Sequence, residues 1–118
     1  MKISKMQELL NAEVLACEEN LGKHVYSAFG CDLMSDVLAY VKDQSVLLSG
    51  LVNPQVIRTA VMMDMVCIVF VRSKKPTEEM LDLARESGIV LMSTDKTMYT
   101  ACGILYTNGL LGNSEVKK

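Results

Sequence analysis

The chain has 118 residues and a formal net charge of −2 at pH 7, and half of its residues are hydrophobic. This length predicts a single domain that can bury a core. The slight acidity excludes the broad basic surface that is typical of a nucleic-acid-binding protein. A mean hydropathy of +0.24 is high for a small free-standing domain. We therefore expect part of the apolar surface to lie in a subunit interface.

The sequence contains no segment typical of secretion or membrane insertion. Residues 1–10 are amphipathic and charged, unlike a signal peptide. The most apolar stretch, residues 61–71, is interrupted by Asp64 and is too short to span a bilayer. The cysteines form neither a C-x-x-C motif nor a zinc-binding spacing, and they are Cys17, Cys31, Cys67 and Cys102. These features predict a cytoplasmic protein with reduced thiols, no metal site and no membrane contact.

The first part of the chain predicts two helices and two strands. Helical spacing of apolar residues predicts a helix over about residues 3–11, followed by strands at 12–17 and 24–29. Asp32 is placed to cap a helix over about residues 33–43. The apolar stripe expected on that helix is Leu33, Met34, Val37, Leu38 and Val41.

The next segment begins a regular alternation of strands and helices. Residues 45–50 are a continuous apolar run, as a strand covered on both faces requires. Asn53-Pro54 combines a strong N-cap with a first-turn proline. The residues that this helix is expected to bury are Val56, Ile57, Ala60 and Val61. Residues 65–71 then form the most hydrophobic predicted strand, which we expect at the centre of the sheet.

Two further helices flank a predicted strand at residues 89–93. Pro76 is expected to open the first of them and Gly88 to end it. The last helix is expected to start near Asp95 or Thr97 and to stop at Gly109. The apolar positions expected to pack are Met80, Leu81, Ala84, Met98, Ala101, Cys102 and Leu105.

This alternation defines the predicted fold class. Strands and helices joined by short loops favour right-handed crossovers and parallel strands. We predict a single layered α/β domain over residues 1–112, with a mostly parallel central sheet flanked by helices. Residues 113–118 are expected to form a flexible C-terminal tail.

A candidate ligand site follows from this fold. Ligands of open parallel sheets favour the crevice beyond the carboxyl ends of the strands, where helix N-termini attract anions. Three loops are expected to share that edge, at residues 50–53, 72–75 and 93–97. The candidate ligand-binding residues are Asn53, Arg72, Ser73, Lys74, Lys75, Thr94, Asp95 and Thr97. Arg72 offers a planar fork for phosphate or carboxylate, and the lysines offer point charges.

A simpler interpretation of these loops stays open. Such connections are polar in every α/β protein because their backbones need water. Glu78 and Glu79 compete for the same helix dipole and would repel a phosphate. The chain also lacks both glycine-rich phosphate-binding motifs. The loops are therefore either an anion-binding edge or a solvated one.

No catalytic or metal-binding constellation is evident, and no cofactor is predicted. His24 is the single histidine, without a predicted partner for general-base work. Cys67 and Cys102 are interpreted as core residues. Cys31 precedes a predicted helix, whose N-terminus could lower the pKa of this thiol, although packing is the preferred interpretation. Asp64 is expected to pair with Arg58 or a partner subunit, or to face solvent.

Two stretches resemble the DRTGG-domain family, whose members are similar to the N-terminal domain of HPr kinase/phosphorylase. They are GCDLMSDVLAYV, residues 30–41, and residues 47–110, from LLSGLVNP to LYTNGL. The family is named for Asp-Arg on one loop and Thr-Gly-Gly after the central strand. Here these places read Gly-Leu-Val-Asn-Pro at residues 50–54 and Val-Arg-Ser-Lys-Lys at residues 71–75.

The resemblance implies a dimerising or regulatory module. Such domains occur alone, beside CBS pairs in regulated pyrophosphatases, or within phosphate acetyltransferases. Stand-alone members tend to accompany iron hydrogenase genes, which implies a link to hydrogenase or energy metabolism. The phosphate loop of the kinase domain is absent, so no kinase activity is implied.

The resulting expectation is a non-enzymatic regulatory or protein-interaction module that acts as a homodimer. The alternative is a small-molecule sensor that binds a nucleotide or another anionic ligand at the C-terminal edge of the sheet. A partner protein is a further candidate, whereas nucleic acid and membranes are not expected partners. An enzyme is disfavoured because no nucleophile and base are paired in the sequence.

Overall fold

Five strands and five α-helices make up the described part of the chain. The computed structural model describes residues 1–41 and 44–112. The helices are α1 (Ile3–Leu10), α2 (Met34–Tyr40), α3 (Pro54–Met62), α4 (Glu78–Ser87) and α5 (Met98–Thr107). The strands are β1 (Glu13–Ala16), β2 (Ser27–Gly30), β3 (Ser45–Ser49), β4 (Cys67–Phe70) and β5 (Val90–Ser93). A short 3-10 turn at Glu18–Asn20 follows β1.

The strands form one mostly parallel sheet in the order β1-β5-β4-β3-β2. Strands β2, β3, β4 and β5 are parallel neighbours, whereas β1 runs antiparallel to β5 along one edge. β4 lies at the centre and every residue of it is buried. The predicted α/β fold class and the central position of this strand are therefore confirmed.

Helices cover both faces of the sheet. Because β2, β3, β4 and β5 follow one another by right-handed crossovers, α2, α3 and α4 pack side by side on one face. α1 and α5 pack together on the other face. None of the helices in the described ranges is long and apolar enough to cross a membrane.

The region before α2 differs from the sequence-based expectation. Only Ser27–Gly30 of the predicted strand 24–29 joins the sheet as β2. The backbone of Val25 instead exchanges hydrogen bonds with Met1, and His24 forms an isolated bridge with Lys2. Pairing with the N-terminal residues therefore keeps His24 and Val25, in the first half of the predicted strand, out of the sheet.

Helix α2 is shorter and less amphipathic than expected. It begins at Met34, and no side chain caps it, so the prediction of Asp32 as its cap is wrong. Met34 and Val37 are buried, but Leu33 and Leu38 are substantially exposed. Because only one side of this seven-residue helix packs on the sheet, only a narrow stripe of its side chains is buried. Residues 42 and 43 of the predicted helix lie outside the described residues, as do residues 113–118.

The other helices follow the predicted pattern with small corrections. Val61, expected in the core, is 43% exposed near the end of α3. α4 begins one residue after Thr77, whose hydroxyl accepts a hydrogen bond from the Met80 N–H, so Pro76 precedes the cap. Gly88 ends α4 with φ 73°, as predicted.

Candidate functional site

The sheet register brings the three predicted loops to one edge. Ser49 pairs with Phe70, and Phe70 pairs with Ser93, at the carboxyl ends of β3, β4 and β5. The loops that follow these strands are joined by backbone hydrogen bonds. The N–H groups of Arg72 and Ser73 donate to the carbonyls of Lys96 and Thr94, each over 2.8 Å. The carboxyl edge of the sheet is thus a single connected surface.

Arg72 and Ser73 hold an unusual backbone conformation there. Their φ angles are 56° and 57°, in the left-handed region that side chains with a Cβ rarely adopt. Both residues are exposed. Two successive residues in this region turn the chain sharply after β4 and project the Arg72 side chain across the edge of the sheet.

The Arg72 guanidinium lies against Gly50, the buried residue that follows β3. A Cβ atom at position 50 would clash with Nη2 of Arg72 and would lie 3.0 Å from Cζ. The absence of a side chain at Gly50 therefore allows the guanidinium to sit on the backbone. This contact orients the arginine at the edge, although the side chain remains exposed to solvent.

Asp32 reaches the same edge from the loop after β2. One of its carboxylate oxygens, Oδ1, accepts hydrogen bonds from the Ser49 hydroxyl at 2.9 Å and from the Gly50 N–H at 2.8 Å. Gly50 thus contacts both a carboxylate and a guanidinium. The sequence predicts Asp32 as a helix cap, because its place before a helix carries no information about a neighbouring strand.

The cations of the edge fall into two groups. Lys75 forms an ion pair with Glu13 on β1, and Lys96 lies 3.8 Å from Asp95. Within residues 1–41 and 44–112, Arg72 and Lys74 form no ion pair. These two side chains carry the positive charge that is open to a ligand at this edge.

The remaining candidate residues have internal partners. The Thr94 hydroxyl is buried and donates to the Leu10 carbonyl over 2.7 Å. Asn53 caps α3 by accepting from the Gln55 N–H over 2.8 Å. Thr97 precedes α5 without capping it, and its hydroxyl donates to that of Thr100. Thr94 supports the fold, whereas Asn53 and Thr97 stay at the exposed rim of the edge.

The loop after β4 is not a free phosphate cradle. The N–H groups of Arg72 and Ser73 already donate to carbonyls. The N-termini of α3 and α4 are capped by Asn53 and Thr77, whereas no side chain caps α5. A ligand beside Arg72 would therefore be held by side chains rather than by a nest of amides.

The other titratable residues do not gather into a reactive cluster. Within the part of the chain that the structure describes, no three His, Cys, Asp or Glu residues are placed to hold a metal ion. Burial raises the pKa of the Cys67 and Cys102 thiols, which keeps both protonated near neutral pH. His24 is exposed and stacks on Tyr26 with ring centroids 6.3 Å apart.

Cys31 and Asp64 have local roles. The Cys31 thiol is half-buried and exchanges weak hydrogen bonds with the backbone of Leu33. Asp64 is exposed with φ 54°, and its carbonyl accepts from the Gln44 N–H. Of the alternatives expected for Asp64, a pair with Arg58 is not formed, since Nη2 of Arg58 lies 3.5 Å from Oε2 of Glu79, and Asp64 faces solvent in this structure.

The fold corresponds to a known domain class. The family profile of the DRTGG domain matches residues 5–107, so the chain belongs to the DRTGG domain family. Comparison with curated protein sequences gives no match.

A solved structure with the same fold contains this domain beside another. It holds the CBS and DRTGG domains of the regulatory region of Clostridium perfringens pyrophosphatase, complexed with the activator diadenosine tetraphosphate. The TM-score is 0.73 at 15% sequence identity, over 99% of this chain and 50% of that one. The present chain thus spans half the length of that structure.

The loop after β4 lies where the resemblance to the DRTGG-domain family implies Thr-Gly-Gly. Glycine adopts positive φ without strain, so a Gly-Gly pair would suit the left-handed conformation seen at Arg72 and Ser73. This chain carries an arginine and a serine there. These residues place a guanidinium at the edge and put the backbone under strain.

Proposed function

We propose that the chain is a non-enzymatic regulatory module that acts as a homodimer in the cytoplasm. Membership of the DRTGG domain family supports this proposal, because the similar domain of the pyrophosphatase stands in a regulatory region. A partner protein and a link to hydrogenase or energy metabolism, which the resemblance implies, belong to the same proposal.

A second candidate function is the sensing of an anionic small molecule at the carboxyl edge of the sheet. The observation that favours it is the Arg72 guanidinium, oriented on Gly50 and without an ion pair in the described ranges. A planar guanidinium suits phosphate or carboxylate, and Lys74 adds a second positive charge.

The ligand class follows from the mixture of charges at this edge. Inorganic phosphate bound by Arg72 would also be repelled by the Asp32 carboxylate nearby. A nucleotide carries phosphates together with hydroxyl and amino groups that can donate to a carboxylate. We therefore favour a nucleotide, and the pyrophosphatase region that binds diadenosine tetraphosphate is consistent with this class.

Thermal unfolding in the presence of nucleotides, inorganic phosphates and small carboxylates tests the sensor function. A ligand at 100 times its Kd stabilises the folded state by about 2.7 kcal/mol. For a domain of this size such a gain raises Tm by several degrees. We expect a nucleotide to produce this shift.

Three variants locate the binding site. Arg72→Ala is expected to abolish the shift, and Gly50→Ala to reduce it because the new Cβ displaces the guanidinium without removing its charge. Arg85→Ala is the matched control, since Arg85 is an exposed arginine in the last turn of α4. If the ligand still raises Tm in Arg72→Ala, it binds elsewhere on the chain. If no compound raises the Tm of the wild type, the sensor function is refuted.

A further inference from the structure

Helix α5 presents an uncharged aromatic face to solvent. The ten residues Met98–Thr107 include no Asp, Glu, Lys or Arg. The inner side of the helix packs on the sheet through Ala101 and Leu105, which are buried. On the outer side Tyr99 is 90% exposed and Tyr106 is 53% exposed. An exposed helix face with aromatic residues and no charge is unusual for a surface that only meets water.

Gly103 lies between the two tyrosines on this face. Tyr99, Gly103 and Tyr106 are four and then three residues apart, so they form one stripe along the helix. Leaving aside the neighbouring backbone of the helix, a Cβ at position 103 would meet no atom of the described residues within 4 Å. Glycine inside a helix is less stable than alanine, and no contact among the described residues requires it here. The missing side chain therefore suits the close approach of something outside this chain.

Two threonine hydroxyls beside the stripe have partners in the helix or next to it. The Thr107 hydroxyl donates to the Gly103 carbonyl over 2.9 Å. The Thr100 hydroxyl accepts from Thr97 over 3.3 Å. A partner can therefore cover Thr107 without leaving its donor unpaired, whereas the Thr100 hydroxyl keeps a hydrogen to donate to the partner or to water. The tyrosine hydroxyls are at the ends of long side chains and can stay at the wet rim of a contact.

We propose that this face, made of Tyr99, Gly103 and Tyr106, is the surface on which a second copy of the chain docks. The inference rests on the homodimer of the proposed function and specifies its interface. An uncharged face does not repel an identical face, so it is compatible with an isologous contact. With the two-fold axis at Gly103 and the helices antiparallel, Tyr99 of each copy meets Tyr106 of the other. The nearly equal spacing on the two sides of Gly103 makes the stripe self-complementary.

The area that α5 alone can bury is too small for a stable dimer, so we expect α1 to contribute to the interface. A helix of ten residues is about 15 Å long, whereas a stable interface buries about 800 Å² on each partner. α1 packs beside α5 on the same face of the sheet. Its exposed Lys5 and Glu8, which are 3.9 Å apart, would form a polar rim around the aromatic centre.

Sedimentation equilibrium over a range of protein concentrations tests the interface. We expect the wild type to dimerise and Gly103→Gln to raise the dimer dissociation constant by about ten-fold or more, because the long side chain blocks the close approach. Glutamine is a better helix former than glycine, so loss of the dimer would not result from loss of the fold. Ser35→Gln on α2, at an exposed helical position on the opposite face of the sheet, is the control that keeps the dimer.

The possible results distinguish failure of the proposed interface from failure of the proposed homodimer. A wild type that stays monomeric refutes both. A dimer that persists unchanged in Gly103→Gln refutes this interface and leaves the homodimer standing. Loss of the dimer in Gly103→Gln but not in Ser35→Gln supports the proposed face.

A pair of double variants tests the antiparallel arrangement. In Tyr99→Lys with Tyr106→Glu, each lysine meets a glutamate of the other copy, so we expect the dimer to persist. In Tyr99→Lys with Tyr106→Lys, all four facing positions are positive and the dimer is expected to dissociate. Dissociation of the first variant together with retention of the second would overturn the arrangement.

Discussion

At the scale of single residues, Arg72 carries both the backbone strain and the charge of the candidate site. Its positive φ turns the chain after β4, and Gly50 allows its guanidinium to rest on the end of β3. The sequence predicted Arg72 as a candidate ligand-binding residue, because a basic residue follows the most apolar strand, and ligand binding by Arg72 stays a prediction. The sequence could not suggest that Gly50 and Asp32 meet there, because those residues lie on two other connections.

Replacement of Arg72 separates the effect of strain from the effect of charge. Arg72→Gly is expected to raise the free energy of unfolding by about 1 kcal/mol, since glycine adopts the left-handed conformation without strain. Arg72→Ala retains the strain and removes only an exposed charge, so we expect a change within about 0.5 kcal/mol. Urea denaturation of both variants checks this. Equal stability of the glycine and alanine variants would contradict the left-handed conformation at position 72.

At the scale of secondary-structure elements, local signals predicted the buried strands β3, β4 and β5 well, and they predicted β2 and the helix ends less well. Continuous apolar runs located β3, β4 and β5, because a strand buried on both faces needs apolar residues throughout. Asn53 was correctly predicted as a cap. Pro76 and Asp32 did not predict the helix starts correctly, because either residue can precede a helix without capping it.

Three of the helix starts at the carboxyl edge, those of α3, α4 and α5, differ in side-chain capping, and this difference predicts an order of stabilities. Asn53→Ala and Thr77→Ala each remove a hydrogen bond to a backbone N–H, and each is expected to cost about 1 kcal/mol. Thr97→Ala is expected to cost less, because the Thr97 side chain makes no such bond. Chemical denaturation of the three variants side by side measures the order. A loss at Thr97 as large as that at Asn53 would be inconsistent with the observed caps.

At the scale of the whole molecule, the sheet order and the packing of its two faces determine which residues are buried. Cys67 lies on the central strand and is fully buried. Burial raises the pKa of its thiol above the ordinary value of 9.0, because a thiolate there would lose its hydration. The same cause raises the pKa of Cys17, with a smaller contribution from the Glu19 charge.

Global stability should therefore depend on pH above about 9. Below that pH the Cys67 thiol is protonated in both the folded and unfolded states, so it adds no pH dependence. As pH rises further, the unfolded state loses the proton first, and the free energy of unfolding falls by up to about 1.4 kcal/mol per pH unit for this thiol.

Cys67→Val is the matched variant for this prediction, since valine is close in size and suits a buried strand. Denaturation curves between pH 8 and 10 should show a shallower decline for the variant than for the wild type. Parallel declines in the two proteins would mean that the buried thiol does not contribute to the alkaline loss of stability.

The α/β class, the order of the elements and the basic connection after the central strand could all be predicted from the amino-acid sequence. These features depend on local periodicity and on residues close together in the chain, so the pattern of apolar and polar residues is sufficient to predict them. Other features became visible only in the folded chain: β1 runs antiparallel, His24 and Val25 bond to the N-terminal residues instead of extending β2, and Asp32 and Arg72 both contact Gly50. Those contacts join residues far apart in the chain, and their geometry depends on strand register and side-chain packing, which local sequence does not specify.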